Sequence, residues 1–127
     1  MYIVNITSFS IKYLHNKYFA LSLYSRIVAM RIITPKRLKE FSDKHTHAKV
    51  PLYDWASKVK KSQWTCFDDI RKTFGSVDAA GNDRYIFDIK GNKYRLVAIV
   101  LFKIQCVYIR FIGTHAEYDR INDCSTL

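Results

Sequence analysis

The stretch Tyr85-Ile86-Phe87-Asp88-Ile89-Lys90-Gly91-Asn92-Lys93-Tyr94-Arg95-Leu96-Val97-Ala98-Ile99-Val100-Leu101-Phe102 decides the fold. Tyr85 to Ile89 is rich in aromatic and β-branched residues, which favour a pleated, half-buried strand. Gly91-Asn92 is a turn signal of the kind that joins antiparallel strands. Lys93 to Phe102 then reads as one long strand, and its unbroken apolar run predicts burial on both faces. Lys103-Ile104-Gln105 turns the chain, and Cys106 to Ile112 returns as a further strand. Thr114-His115-Ala116-Glu117 has the spacing of a capping box, so a short helix is expected to begin there.

Upstream, the patterning changes from strands to helices. Ser76 to Asp83, with its Asp, Gly and Asn, reads as loop. Thr65-Cys66-Phe67-Asp68 opens a short helix with Phe67, Ile70 and Phe74 inward, and Gly75 is a plausible stop. Leu52, Trp55, Ala56 and Val59 fall at i, i+3, i+4 and i+7, the stripe of an amphipathic helix beginning at Pro51. His45 to Ala48 is a polar break. Before it, Thr34 can cap a helix with Pro35 at its first position and Leu38 and Phe41 on one face. Met30-Arg31-Ile32-Ile33 reads as a short strand. Helices and antiparallel strands segregated in this way predict an α+β fold.

Composition limits the function classes. The 127 residues suit one domain, and 49% hydrophobic residues are enough for it to fold. The net charge is +10, from 21 Lys and Arg against 11 Asp and Glu. Such an excess attracts polyanions or an acidic protein partner. Three scattered cysteines, Cys66, Cys106 and Cys124, form no C-x-x-C pair, which argues against a disulfide framework or zinc knuckle and suits a reducing cytoplasm. His45-x-His47 has metal-like spacing but no evident third ligand, so neither a metal nor a cofactor is expected. No apolar run approaches the ~20 residues needed to span a bilayer, and no membrane association is expected. Residues 1–29 contain Lys12, Lys17 and Arg26 but no acid. They read as an N-terminal extension, or the product of a start codon assigned too far upstream, ahead of a compact domain over 30–127.

Two arginines stand out. Arg95 interrupts an otherwise apolar strand, where an unpartnered charge is costly to bury. It either points into a cleft or is a structural arginine paired with an acid such as Asp88. Arg110 repeats the pattern between Val107-Tyr108-Ile109 and Phe111-Ile112. With the two strands neighbouring in register, both guanidiniums would face one phosphate. Otherwise Arg110 is an edge-strand charge that discourages aggregation.

Met30-Arg31-Ile32-Ile33-Thr34, the run Tyr85-x-Phe87-x-Ile89-x-Gly91-Asn92-x-Tyr94-Arg95-Leu96, and Tyr108-Ile109-Arg110-x-x-x-Thr114-His115-x-Glu117-Tyr118-Asp119 together resemble the HigB family of type II toxin–antitoxin systems. The resemblance covers roughly Met30 to Asp119. It implies a RelE-like fold: a twisted, mainly antiparallel sheet with N-terminal helices packed on one face and a short C-terminal helix. It further implies endoribonuclease cleavage of mRNA, often on the translating ribosome. The implied partner is a cognate HigA-type antitoxin with a helix-turn-helix domain, and operator DNA would be bound only through the toxin–antitoxin complex.

RNA carries its own nucleophile in the 2′-hydroxyl, so a metal-free protein needs to remove that proton, stabilise the phosphorane-like charge and protonate the 5′ oxygen. Arginine suits the middle task because its planar fork meets two phosphate oxygens and stays charged. The resemblance implies a catalytic Arg95, a phosphate-contacting Arg110 and a catalytic histidine at His115. Tyr118 and Asp119 share a helical face with His115. Tyr118 is a candidate to stack on a base or donate to phosphate, and Asp119 to orient His115. Glu117 is better explained as the capping partner of Thr114. Lys58, Lys60, Lys61, Lys90 and Lys93 are candidate contacts to RNA phosphates, the alternative being a solvated charged face. Trp55 and Trp64 are candidate base-stacking residues, although Trp55 fits the helical core stripe.

Three functions fit: a metal-independent endoribonuclease toxin, a non-catalytic RNA- or ribosome-binding module, and a basic protein that only binds an acidic or antitoxin-like partner. Arg95, Arg110 and His115 occurring together favour the enzyme.

Overall fold

Strand and helix boundaries follow the change in side-chain periodicity closely. The computed structural model describes residues 28–127, so nearly all of the acid-free leader lies outside the described residues. The chain runs β1 (Arg31–Ile32), α1 (Pro35–Lys44), a 3-10 turn (Thr46–Ala48), α2 (Lys49–Lys60), α3 (Phe67–Thr73), β2 (Val77–Gly81), β3 (Arg84–Ile89), β4 (Tyr94–Leu101), β5 (Cys106–Thr114), α4 (His115–Asp119) and a closing 3-10 turn (Cys124–Thr126). The strands form one sheet in the order β1-β5-β4-β3-β2. The β1–β5 pair is parallel and the others are antiparallel. This is the expected α+β architecture.

The apolar stripe of α2 makes the core. Leu52, Trp55, Ala56 and Val59 are buried, with Leu38 of α1 and Ile70 of α3, against Phe87, Leu96, Ala98, Val100, Val107 and Ile109 of the sheet. Because side chains alternate along a strand, Leu96, Ala98 and Val100 facing the helices puts Arg95, Val97 and Ile99 on the opposite face. Val97 is nonetheless 0% exposed and Ile86 8%, so β4 is buried on both sides as its apolar run predicts. Trp55 and Trp64 are each 2% exposed and pack against Phe74 and Phe87. Neither is free to stack on a base.

Three local expectations need correction. Ser76 to Asp83 is not all loop, since Val77–Gly81 forms the edge strand β2. Only Val77 of β2 is buried, so the segment lacks the alternating apolar signal of a strand and owes its shape to pairing with β3. The turn proper is Asn82-Asp83, both at positive φ (51° and 63°), a conformation that Asn and Asp tolerate. Helix α2 begins at Lys49 rather than Pro51, because the 3-10 turn runs directly into it. Pro51 sits in the first turn, where its missing N–H has no intrahelical partner to lose. Thr34 makes no side-chain cap to α1. Its hydroxyl instead accepts the Ile109 N–H at 2.7 Å, tying the start of α1 to the edge of β5 beyond the short β1.

The β4–β5 ladder contains a bulge that matters for the site. Ala98 pairs with Ile109, but Val97 pairs with Phe111. In an uninterrupted antiparallel ladder Arg110 would occupy the Val97 rung. The extra residue displaces it and moves the following residues to the other parity.

Candidate active site

Arg95 lies on the sheet face away from the helices, and two groups hold it. Its register partner on β3 is Asp88, and Arg95 Nε lies 2.9 Å from Asp88 Oδ1. The structural pairing left open by the sequence is therefore present. The contact is an ion pair rather than a well-directed hydrogen bond, because the buried Nε–H finds no aligned acceptor. From α4, the Tyr118 ring lies 5.2 Å from Arg95 Cζ, within cation–π range. Among the described residues, no other hydrogen bond or ion pair engages the guanidinium. Its terminal nitrogens, the two prongs that bind phosphate, remain available on a side chain that is 16% exposed.

Helix α4 carries the rest of the candidate machinery and is locked to the sheet at its start. Thr114 pairs with Tyr94 in the ladder, and the His115 N–H donates to the Lys93 carbonyl at 3.0 Å. The expected capping box forms: Thr114 N–H donates to Glu117 Oε1 (2.9 Å) and Glu117 N–H donates to Thr114 Oγ1 (3.2 Å). The Thr114 backbone and hydroxyl hold the Glu117 carboxyl below the usual glutamate range. This supports capping, not catalysis, for Glu117.

One turn of α4 brings His115 and Asp119 together, with Nδ1 and Oδ2 3.0 Å apart. A neutral imidazole that donates through Nδ1 keeps Nε2 as its acceptor. Both side chains are well exposed. Tyr118 sits on the same short helix, and its hydroxyl is pushed up to about 12, first by burial and then by the neighbouring Cys124 thiol. It therefore stays protonated, a donor rather than a phenolate, at neutral pH.

The other candidates are placed differently. Arg110 is the exposed bulge residue of β5. Its carbonyl accepts from Arg37 Nη1 at 3.2 Å. The bulge takes Arg110 off the rung that would have placed it on the Arg95 face. Lys90 and Lys93 flank the β3–β4 turn, and the Lys93 carbonyl is the anchor for His115. Lys90 and Gly91, at φ 54° and 67°, are the left-handed residues of that turn. Lys58 pairs with Asp54 at 3.0 Å. It shares a cavity of about 160 Å³ with Lys90, Trp55 and Asp88, so residues from α2 and the β3–β4 turn meet there. Lys60 and Lys61 are exposed at the end of α2.

Several residues near the site escaped the sequence reading. Cys124 and Asp78 both act on the Tyr118 hydroxyl, although β2 and the closing turn lack any motif. Arg84 Nε donates to the Leu127 carbonyl at 2.9 Å, and Asn82 Nδ2 to the Ser125 carbonyl at 3.3 Å. These bonds fasten the last residues to the β2–β3 turn. His45 stacks on Phe41 with ring centroids 4.3 Å apart and meets Tyr94 edge-on at 5.9 Å. Among the described residues no three His, Cys, Asp or Glu side chains gather as a metal site.

Residues 48–121 match the HigB_toxin family model, described as the RelE-like toxic component of a toxin–antitoxin system. The chain is 34% identical over 92 residues to the mRNA interferase toxin HigB of Escherichia coli strain K12, covering 71% of this chain and 88% of that protein. The mRNA interferase HigB of Shigella flexneri gives the same identity and coverage. The mRNA interferase HigB of Escherichia coli O6:H1 is 26% identical over 94 residues, covering 72% of this chain and 91% of that one.

Proposed function

The chain belongs to the HigB family of RelE-like toxins, and from that premise we propose that it is an mRNA interferase, a metal-independent endoribonuclease acting on mRNA at translating ribosomes. The observation that carries this reading is the Arg95 guanidinium, whose terminal nitrogens make no hydrogen bond among the described residues, on the strand rung next to the cap of the helix that bears His115 and Asp119. Cleavage proceeds by attack of the 2′-hydroxyl on the adjacent phosphorus. This breaks the bond to the 5′ oxygen and leaves a 2′,3′-cyclic phosphate and a 5′-hydroxyl. Arg95 stabilises the charge on the non-bridging oxygens. His115, oriented by Asp119, handles a proton. Tyr118 donates to phosphate or stacks on a base, and Arg110 contacts a flanking phosphate from the edge of the sheet. Lys58, Lys60, Lys61, Lys90 and Lys93 track the backbone.

A toxin component implies a cognate antitoxin. We assign that role to a HigA-type helix-turn-helix protein, with operator DNA bound through the complex. Among the described residues no helix is long and apolar enough to cross a membrane. Action on ribosome-bound mRNA, as proposed above, would take place in the cytoplasm. The compact domain is taken to begin near Met30, whose side chain is buried and whose N–H donates to the Ser62 carbonyl.

The Arg95–Asp88 ion pair supports a second reading, in which Arg95 is structural and the basic face binds RNA or the ribosome without cutting. Induction from a tightly repressed promoter separates the two. The enzyme reading expects growth arrest by the wild type and its loss in Arg95→Ala and His115→Ala at equal protein levels. Arrest by both variants as by the wild type would overturn the assigned site.

A further inference from the structure

We propose that Asp88 is a positioning residue for Arg95, an inference that rests on the ribonuclease reading above. Asp88 Oδ1 approaches the guanidinium at Nε, 2.9 Å away, and among the described residues no hydrogen bond joins Asp88 to either terminal nitrogen. An acid that served to neutralise the arginine would favour the bidentate arrangement, taking one terminal nitrogen as well. Here no such bidentate pair of hydrogen bonds is formed. The two residues are register partners on adjacent central strands, so the carboxylate is carried by a rigid rung. The Asp88 N–H also donates to the Ser76 carbonyl at 3.4 Å. Tyr118 stands 5.2 Å from the guanidinium carbon. With a carboxylate against Nε and an aromatic ring near the guanidinium carbon, the side chain is held in an orientation that presents its two terminal nitrogens. Asp88 thus restricts the rotation of a long side chain that would otherwise lose several rotamers on binding phosphate.

Single-turnover cleavage of an mRNA bound to programmed ribosomes, measured over a range of protein concentrations, tests this. Asp88→Asn is expected to lower the maximal rate roughly 10- to 100-fold, as a small misplacement of a catalytic group does, with the half-saturating concentration little changed. Asp88→Glu is expected to recover part of that loss. In an Arg95→Ala background, Asp88→Asn should cost nothing further, because its effect runs through Arg95. A normal rate in Asp88→Asn, or tighter binding with the rate unchanged, would overturn the proposal and make Asp88 a structural or neutralising partner. So would an equal further loss in the Arg95→Ala background. If the wild type itself does not cut, the ribonuclease reading fails and the Asp88 role falls with it. Cleavage by wild type and Asp88→Asn alike rejects only Asp88.

Discussion

Arg95 Nε and Asp88 Oδ1 face each other at 2.9 Å across one rung of the β3–β4 ladder, and among the described residues the two terminal nitrogens of the guanidinium make no hydrogen bond. An arginine with a carboxylate beside its inner nitrogen can still grip a phosphate with its outer pair. Arg95→Ala is therefore expected to lower the cleavage rate by about 10²- to 10³-fold, the usual cost of removing one donor aimed at developing charge. Arg95→Lys should recover little of this, since a point charge cannot reproduce the fork. Single-turnover rates on ribosome-bound mRNA check both.

Arg110 should matter less than Arg95. The β5 bulge removes it from the rung opposite Val97, so it is expected to act as a flanking phosphate contact. Arg110→Ala should weaken binding several-fold without abolishing the chemical step. A rate loss in Arg110→Ala equal to that of Arg95→Ala, at saturating protein, would count against this assignment.

The pair of His115 and Asp119, 3.0 Å apart on one turn of α4, predicts a graded effect. His115→Ala removes the proposed proton carrier and should cost about 10²- to 10⁴-fold. Asp119→Asn keeps the ring and should cost less. Single-turnover rates for the two variants, measured side by side at saturating protein, check the order.

Glu117 gives a stability prediction with a definite sign. Its carboxyl is depressed by the Thr114 backbone N–H and hydroxyl. A depressed carboxylate contributes stability that is full above its unfolded pKa and is lost as pH falls through the folded value. Glu117→Gln should therefore flatten the fall in melting temperature between about pH 5 and pH 3. Thr114→Ala should cost about 1 kcal/mol at neutral pH. Thermal unfolding across that range checks both.

The two lysines of the β3–β4 turn, Lys90 and Lys93, are expected to neutralise RNA phosphates. Replacing both with alanine should reduce the slope of log affinity against log salt by about 1.4, near 0.7 per single-strand contact. Lys60→Ala with Lys61→Ala provides the comparison at the end of α2.

Much of this arrangement is legible in the sequence because its signals are local. The apolar run from Leu96 announces the central strand, the Leu52-Trp55-Ala56-Val59 spacing announces α2, and Thr114 with Glu117 announces α4. Arg95 stands out for the same reason, as a charge in an apolar strand. What the sequence hides is set by pairing. The strand β2 has a weak apolar pattern and exists through β3. The bulge at Arg110 changes facing without any Gly or Pro to mark it. Asp88 is recognisable as a possible acid partner, but its approach to Nε requires the register. The proximity of Cys124 to Tyr118 depends on the closing turn returning to the site, which no spacing rule predicts.

The most direct test is the chemistry of the new RNA ends. Messages recovered after induction should carry cuts within reading frames whose downstream fragments have 5′-hydroxyl ends, seen as ligation only after phosphorylation by polynucleotide kinase, and Arg95→Ala should yield none at equal protein levels. Downstream fragments bearing 5′-phosphates, or the same cuts in Arg95→Ala, would contradict the account.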